Sequence, residues 1–173
     1  MSKPAPIDEE IILENNIYIE SDTDTKGVIT YANDYFAKIS GYAPEELIGK
    51  PHNIVRHPDM PKILFKILWE RLKSGQNFIA AIKNLAKDGR YYWVFTDFEL
   101  IKNDNGDILG YRAVRKKISK HVTETLDPLY KKLTKIEKEQ GVEASLKYLE
   151  EFLLEHGEDI TVDNLLENIH KLY

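Results

Sequence analysis

Not one of the 173 residues is a cysteine. That excludes disulfides, thiolate metal sites, cysteine nucleophiles and photochemistry through a cysteinyl adduct. No apolar run approaches the roughly 20 residues of a membrane span, so direct membrane insertion is not expected. The opening MSKPAPIDEE does not read as a signal peptide, and a reducing, cytoplasmic compartment is the corresponding expectation. Positive charge is short as well. With 24 Lys and Arg against 29 Asp and Glu, the net charge is -5, which argues against nucleic acid as a partner because phosphate binding needs a basic surface. A nucleophile–base pair, a Gly-rich phosphate loop and clustered carboxylates are all missing, so the reading is of a protein that is not an enzyme.

What is present reads as an ordinary globular chain, 42% hydrophobic and 31% charged. Its length suffices for one full core with a small helical appendage. Residues 1–15 form a cap segment in which IDEEIILENN places Ile7, Ile11 and Ile12 on one helical face. NIYIES alternates as a strand, TDTKG turns, and VITYAN is a second strand. DYFAKISGY carries Phe36 and Ile39 at helical spacing, APEELIGKP adds a helical turn, and PKILFKILWERLKSG is amphipathic through Ile63, Leu64, Ile67, Leu68 and Leu72. Three strands follow, NFIAAIKNLA, RYYWVFTDFELIKN and DILGYRAVRKKI, joined by the turn signals KDG and NDNG. Two strands, short helices and a three-stranded meander make an α+β domain over residues 16–119. Residues 120–173 read as a helical region with three apolar stripes: Leu126, Leu129, Tyr130, Leu133 and Ile136; Val142, Leu146, Leu149, Phe152 and Leu153; Leu165, Leu166, Ile169 and Leu172.

Between the helical turn and the long helix lies HNIVRHPDMP, with two histidines, an arginine, an aspartate and two prolines in ten residues. Arg56 is suited to fork onto a phosphate or carbonyl oxygen. His57 is suited to donate to a polar ligand group or to respond to a proton. Asp59 can orient either one, or cap a helix that begins near Met60 with Pro61 in its first position. His52 reads as a turn residue bonding backbone. Asn33, in YANDYF, reads as a cap or turn residue. Trp69 lies on the long helix, as core or as pocket wall. Tyr92 and Trp93 alternate on a strand, so one faces inward and its neighbour becomes a contact for a partner.

The stretch TDTKGVITYANDYFAKISGYAPEELIGKPHNIVRHPDMPKILFKILWERLKSG, and KPHNIVRHPDMP above all, resembles the PAS domain of the bacterial aerotaxis receptor family. The resemblance covers about residues 16–119 and leaves the C-terminal helices out. It implies a PAS fold, a five-stranded antiparallel sheet with helices on one face enclosing a pocket. It implies FAD bound non-covalently there, with Arg56, His57, Asp59 and the strand amide Asn84 as contacts, and with Trp69 and Asn33 as further candidates. It also implies a redox sensor for energy taxis that reports to a membrane-bound chemotaxis transducer, either as the sensor half of a split receptor or as a fragment of a longer one. Phe78 and Ala80 stand where the family tends to have a tryptophan and a small residue, and Leu85 and Ala86 replace an arginine pair, which puts pyrophosphate binding in doubt. Two other readings stay open: a haem gas sensor using His57 or His52 as axial ligand, and a cofactor-free interaction module that forms a homodimer through Tyr92, Trp93 and the terminal helices.

Overall fold

The computed structural model describes residues 2–172, with side chains through Asn168. Five strands, β1 (Ile19–Asp24), β2 (Ile29–Ala32), β3 (Phe78–Leu85), β4 (Tyr91–Lys102) and β5 (Ile108–Lys116), form one antiparallel sheet in the order β2-β1-β5-β4-β3. Helices α1 (Asp34–Ser40), α2 (Pro44–Leu47) and α3 (Lys62–Lys73) and a 3-10 turn at His52–Val55 connect β2 to β3. Each forms for a local reason. Asn33 caps α1 by accepting from the Phe36 N–H at 3.0 Å, and its amide holds Glu20 N–H and Tyr18 C=O as well, so the helix is fixed to β1. In α3 the apolar stripe Ile63, Leu64, Ile67, Leu68 and Leu72 is buried against the sheet.

Register decides what each face of the sheet presents. Residues directly opposed across strands share a face. Ile19, Arg115, Thr96 and Ala80 form one inner row, and Ser21, Ala113, Phe98 and Phe78 form the next. Lys83 pairs with Trp93 on the other, outer face.

That outer face is covered. Helix α4 (Lys120–Gln140) lies against β3 and β4, with the Tyr130 ring stacked on Trp93 at 5.9 Å between centroids and its hydroxyl donating to the Ala81 carbonyl at 2.8 Å. The stripe Leu126, Leu129, Tyr130, Leu133 and Ile136 is buried as the sequence predicts. Helix α5 (Val142–His156) buries Leu149 and Leu153 against α4, and both join the same hydrophobic core as α3. Leu165 is buried in the closing 3-10 stretch, while the side chains of Ile169 and Leu172 fall outside the described residues.

The N-terminal segment differs from its predicted helical reading. It runs extended, with Ile7 N–H bonded to Gly89 C=O, Ile11 N–H to Tyr91 C=O, and Tyr91 N–H to Glu9 C=O. Ile7 and Ile12 are exposed and Leu13 is buried instead. An isolated helix this short is marginal in water, whereas the start of β4 offers unpaired backbone groups to a strand.

Candidate functional site

A pocket of about 510 Å³ opens between the inner face of the sheet, α3 and the 3-10 turn. That size suits a small-molecule site. Its mouth is formed by Thr25, Lys26 and Lys73, which are exposed, and its closed end by Asn84, Ala113 and Arg115, which are buried. Helix α3 supplies one wall through Phe65, Leu68, Trp69 and Leu72. Trp69 packs edge-on against Tyr111 at 5.3 Å and leans over Gly27. Gly27 turns β1 into β2 at φ +85°, and a Cβ there would stand 3.3 Å from the Trp69 ring, so both conformation and space require glycine.

The charge of the lining runs against that of the chain. Lys26, Arg56, Lys73, Arg112 and Arg115 border the pocket, and no aspartate or glutamate does among the described residues. Arg112 is neutralised by Asp22, with Nε to Oδ1 at 2.8 Å. Arg56 stacks its guanidinium on Phe65, 3.8 Å from the ring centroid, and its buried Nε has no hydrogen-bond partner. Arg115 is 3% exposed. Its Nη2 donates to Ser21 Oγ at 3.0 Å and to His52 Nε2 at 2.7 Å, and its Nη1 is buried without a partner. Burial lowers its pKa to about 10. Accepting from an arginine leaves Nε2 of His52 unprotonated. Burial first, and then the Arg115 charge, hold that histidine neutral with a pKa of about 3.

Three of the sequence-predicted residues therefore meet here: Arg56, Trp69 and Asn84. Arg56 and Asn84 also pair through their backbones, because residues 56–60 run along the free edge of β3. The Tyr92 hydroxyl lies beside the Asn84 amide, and burial pushes that phenol well above its ordinary pKa.

The other three do not line the pocket. His57 follows Arg56 in extended chain and so emerges on the opposite side, 5% exposed, with Nδ1 accepting from the Asp59 N–H at 3.0 Å and its ring edge-on to Tyr91. Burial, then the nearby Lys83 ammonium, lower its pKa to about 4. The Asp59 carboxylate takes Lys83 Nζ at 3.0 Å, and Asp127 of α4 takes the same ammonium at 3.3 Å. Asp59 does not cap α3: the helix starts at Lys62, its N-cap is Pro61, and Lys83 has claimed the carboxylate. Asn33 is the α1 cap described above. Trp93, the outward member of the Tyr92 and Trp93 pair, is 5% exposed beneath α4 and offers no surface to a partner. Leu85 and Ala86 are buried and away from the lining.

Sequence reasoning missed Arg115 and Ser21 and placed His52 in a plain turn. A usable signal was there. Tyr111, Ala113 and Arg115 recur at period two, which puts a lone cation in phase with inward-facing residues.

The PAS fold family matches residues 29–115, and the chain belongs to it. The aerotaxis receptor of Escherichia coli (strain K12) is 39% identical over 132 residues, 76% of this chain and 26% of that protein. The chain thus spans about a quarter of that relative's length. Among solved structures, the PAS domain of a protein from Colwellia psychrerythraea has the same fold at a TM-score of 0.55 and 23% identity, covering 60% of this chain and 87% of that one. A light-oxygen-voltage domain studied with a flavin analogue gives 0.56 at 22% identity, covering 63% and 82%.

Proposed function

We propose that this PAS-fold chain is a non-enzymatic sensor in taxis signalling, which holds FAD non-covalently in its pocket and passes the redox state of the flavin to a membrane-bound chemotaxis transducer. The observation that carries the reading is the cationic pocket with buried donors left unused, Nε of Arg56 and Nη1 of Arg115, in a lining without a carboxylate among the described residues. Buried polar groups are normally satisfied, so two orphaned guanidinium nitrogens on residues lining one cavity support an acceptor-rich ligand there. FAD fits on chemistry: Asn84 would offer the donor and acceptor that a flavin edge requires, Trp69 and Leu68 would give apolar contact to a planar ring, and Arg56 and Arg115 would supply donors for its carbonyls. Lys26 and Lys73 at the mouth would supply cations for a pyrophosphate, in place of the arginines absent at Leu85 and Ala86. When bound, the flavin supplies a redox centre whose charge and hydrogen bonding change with its oxidation state.

The protein's own part is to orient the ring and to carry the change outward. Wall helix α3 is tied to α5 by a Lys66–Glu143 ion pair and to the turn after it by Arg71–Asp163, both 2.8 Å. Asn84 at the closed end neighbours Lys83, which is bound to Asp127 of α4. A shift between two packings of α3 and α4 would then be the output, with a different set of contacts in each redox state. Among the described residues no helix is long and apolar enough to cross a membrane. The proposed contact with a membrane-bound partner is made by the surface of a cytoplasmic chain or domain.

The haem alternative has less support from the geometry. His52 Nε2 is taken by Arg115 and Ser21, and His57 does not line the pocket. The homodimer reading loses Trp93 as its contact.

An absorbance spectrum of the protein reconstituted with FAD, repeated after dithionite, tests the proposal. Twin blue bands that bleach on reduction, and that are lost in Arg56→Ala and Asn84→Ala, are expected. A Soret band, or a colourless protein after reconstitution, would overturn it.

A further inference from the structure

We infer that Arg115, seated on Ser21 and His52, makes the closed end of the pocket an anion subsite that receives the edge of the flavin ring which becomes negative on reduction. The inference rests on the flavin reading and extends it to residues outside the motif segment.

Four observations carry it. Arg115 is nearly inaccessible, yet its partners are a hydroxyl and a neutral imidazole rather than a carboxylate. Burying a cation without an opposite charge is among the least favourable arrangements in a fold, and it persists where a ligand or a function compensates. Its Nη1 is left unbonded, and Thr96, directly across in the inner row, likewise has a buried hydroxyl without a partner. Among the described residues the lining has no carboxylate to supply the missing charge. Finally, the groups around Arg115 are arranged to hold it rather than to neutralise it: Ser21 on β1 and His52 on the 3-10 turn accept from the same Nη2, while Phe36 of α1 lies under the guanidinium at 5.4 Å and stacks on the His52 ring.

Oxidised flavin is neutral at the ring. Two electrons and one proton convert it to a reduced ring of charge -1, and a second proton would return it to neutrality. The electrons come from an external reductant, dithionite in the test below. A fixed cation at the ring edge favours the state with one proton over the state with two. The titratable and charged groups around Arg115 are His52 and Arg56 from the connecting segment and Tyr92 from β4, with Lys26, Lys73 and the Asp22-paired Arg112 elsewhere on the pocket border. The one histidine among them is held at about 3, so it does not take up a proton between pH 5 and 8 in place of the flavin.

The test is the midpoint potential of the FAD-loaded full chain, measured by dithionite titration with reference dyes from pH 5 to 8. Uptake of one proton per two electrons moves the equilibrium tenfold per pH unit, about 30 mV, and two protons would move it a hundredfold, about 59 mV. The wild-type protein is expected to follow the shallower slope across the whole range. Arg115→Met is expected to bind FAD, to disfavour the reduced form at least tenfold at pH 7, and to steepen toward the two-proton slope at acid pH, with Arg115→Lys between the two. A two-proton slope in wild type, or an Arg115→Met protein that holds FAD at unchanged potential, overturns the subsite while leaving the flavin reading intact. Should Arg115→Met fail to fold, the wild-type slope alone decides. A wild-type chain that takes up no FAD removes the flavin reading itself, and the subsite with it.

Discussion

The carboxylate of Glu137 closes the N-terminus of α3, accepting the Lys62 N–H at 2.7 Å across 75 residues of sequence and the Ile63 N–H at 3.0 Å. Pro61, in the N-cap position, has no side-chain acceptor to offer, so the first turn of the pocket helix depends on a residue from α4. Ser145 of α5 donates to the same carboxylate at 2.9 Å, and Thr134 of α4 donates to the Asp59 carbonyl at 2.9 Å. The C-terminal helices are thereby joined to Asp59 and to the first turn of the pocket wall.

Replacing Glu137 by alanine is expected to lower unfolding free energy by about 1–2 kcal/mol, the range for losing a helix cap. Glu137→Gln, which keeps one acceptor oxygen, should lose less. Urea denaturation followed by circular dichroism would show it, and an unmoved midpoint for the alanine variant would mean that solvent caps α3 equally well.

Lys83 is 6% exposed between Asp59 and Asp127. Removing a buried partner leaves uncompensated charge, at about 3–5 kcal/mol when the pair is fully buried. Here both carboxylates reach water, so Lys83→Ala is expected to destabilise by about 2 kcal/mol. In a double-mutant cycle with Asp127→Asn the two changes should be strongly non-additive. Simple additivity would contradict the pairing.

On the proposed flavin reading, two asparagines should separate folding from ligand binding. Asn33→Ala removes the α1 cap and is expected to lower stability by about 1–2 kcal/mol while leaving FAD affinity within about twofold. Asn84→Ala is expected to weaken FAD at least tenfold, the equivalent of about 1.4 kcal/mol or one lost hydrogen bond. Fluorescence titration with FAD, paired with thermal melts, distinguishes them. The reverse pattern would move the site to β1 and α1.

Acid should destabilise the fold before its carboxylates titrate. His52 is held at about 3 and His57 at about 4, both below the ordinary 6.5 that they regain on unfolding. Between roughly pH 4 and 6.5 the unfolded chain binds more protons than the folded one, so stability is fully present above about 6.5 and falls as pH drops through this window. His52 alone contributes up to about 1.4 kcal/mol per pH unit there, and His57 adds in the same direction. Denaturation midpoints at pH 7, 6 and 5 should fall steadily in wild type and more shallowly in His52→Gln. A flat profile in wild type would show that the rings are protonated inside the fold.

Much of the architecture was legible in the chain because local rules and tertiary need agree there. TDTKG, KDG and NDNG end strands where φ must turn positive, at Gly27, Gly89 and Gly106. The apolar spacing of α3 and α4 names the residues that are buried. The N-terminal segment misled for the opposite reason: Ile7, Ile11 and Ile12 satisfy a helical period, but strand pairing to Gly89 and Tyr91 outweighs a few turns of isolated helix. Of the motif, the polar character of HNIVRHPDMP marked a segment that borders the pocket, without showing how its members divide.

That division is where tertiary structure takes over. By itself the sequence determined an α+β chain of five strands, a pocket helix and a stiff polar segment before it, since period, turn chemistry and proline are properties of neighbours along the chain. It did not determine that Arg56 serves the pocket while His57 serves the far side, that Lys83 rather than α3 takes Asp59, or that Arg115 stands at the closed end on Ser21 and His52 with Nη1 unbonded. An extended chain alternates sides whatever its surroundings, and only its registration on a neighbouring strand says which phase faces in. The cap from Glu137, 75 residues away, and the cation at the end of β5 are set by that registration and by the packing of distant helices, which no local window of sequence contains.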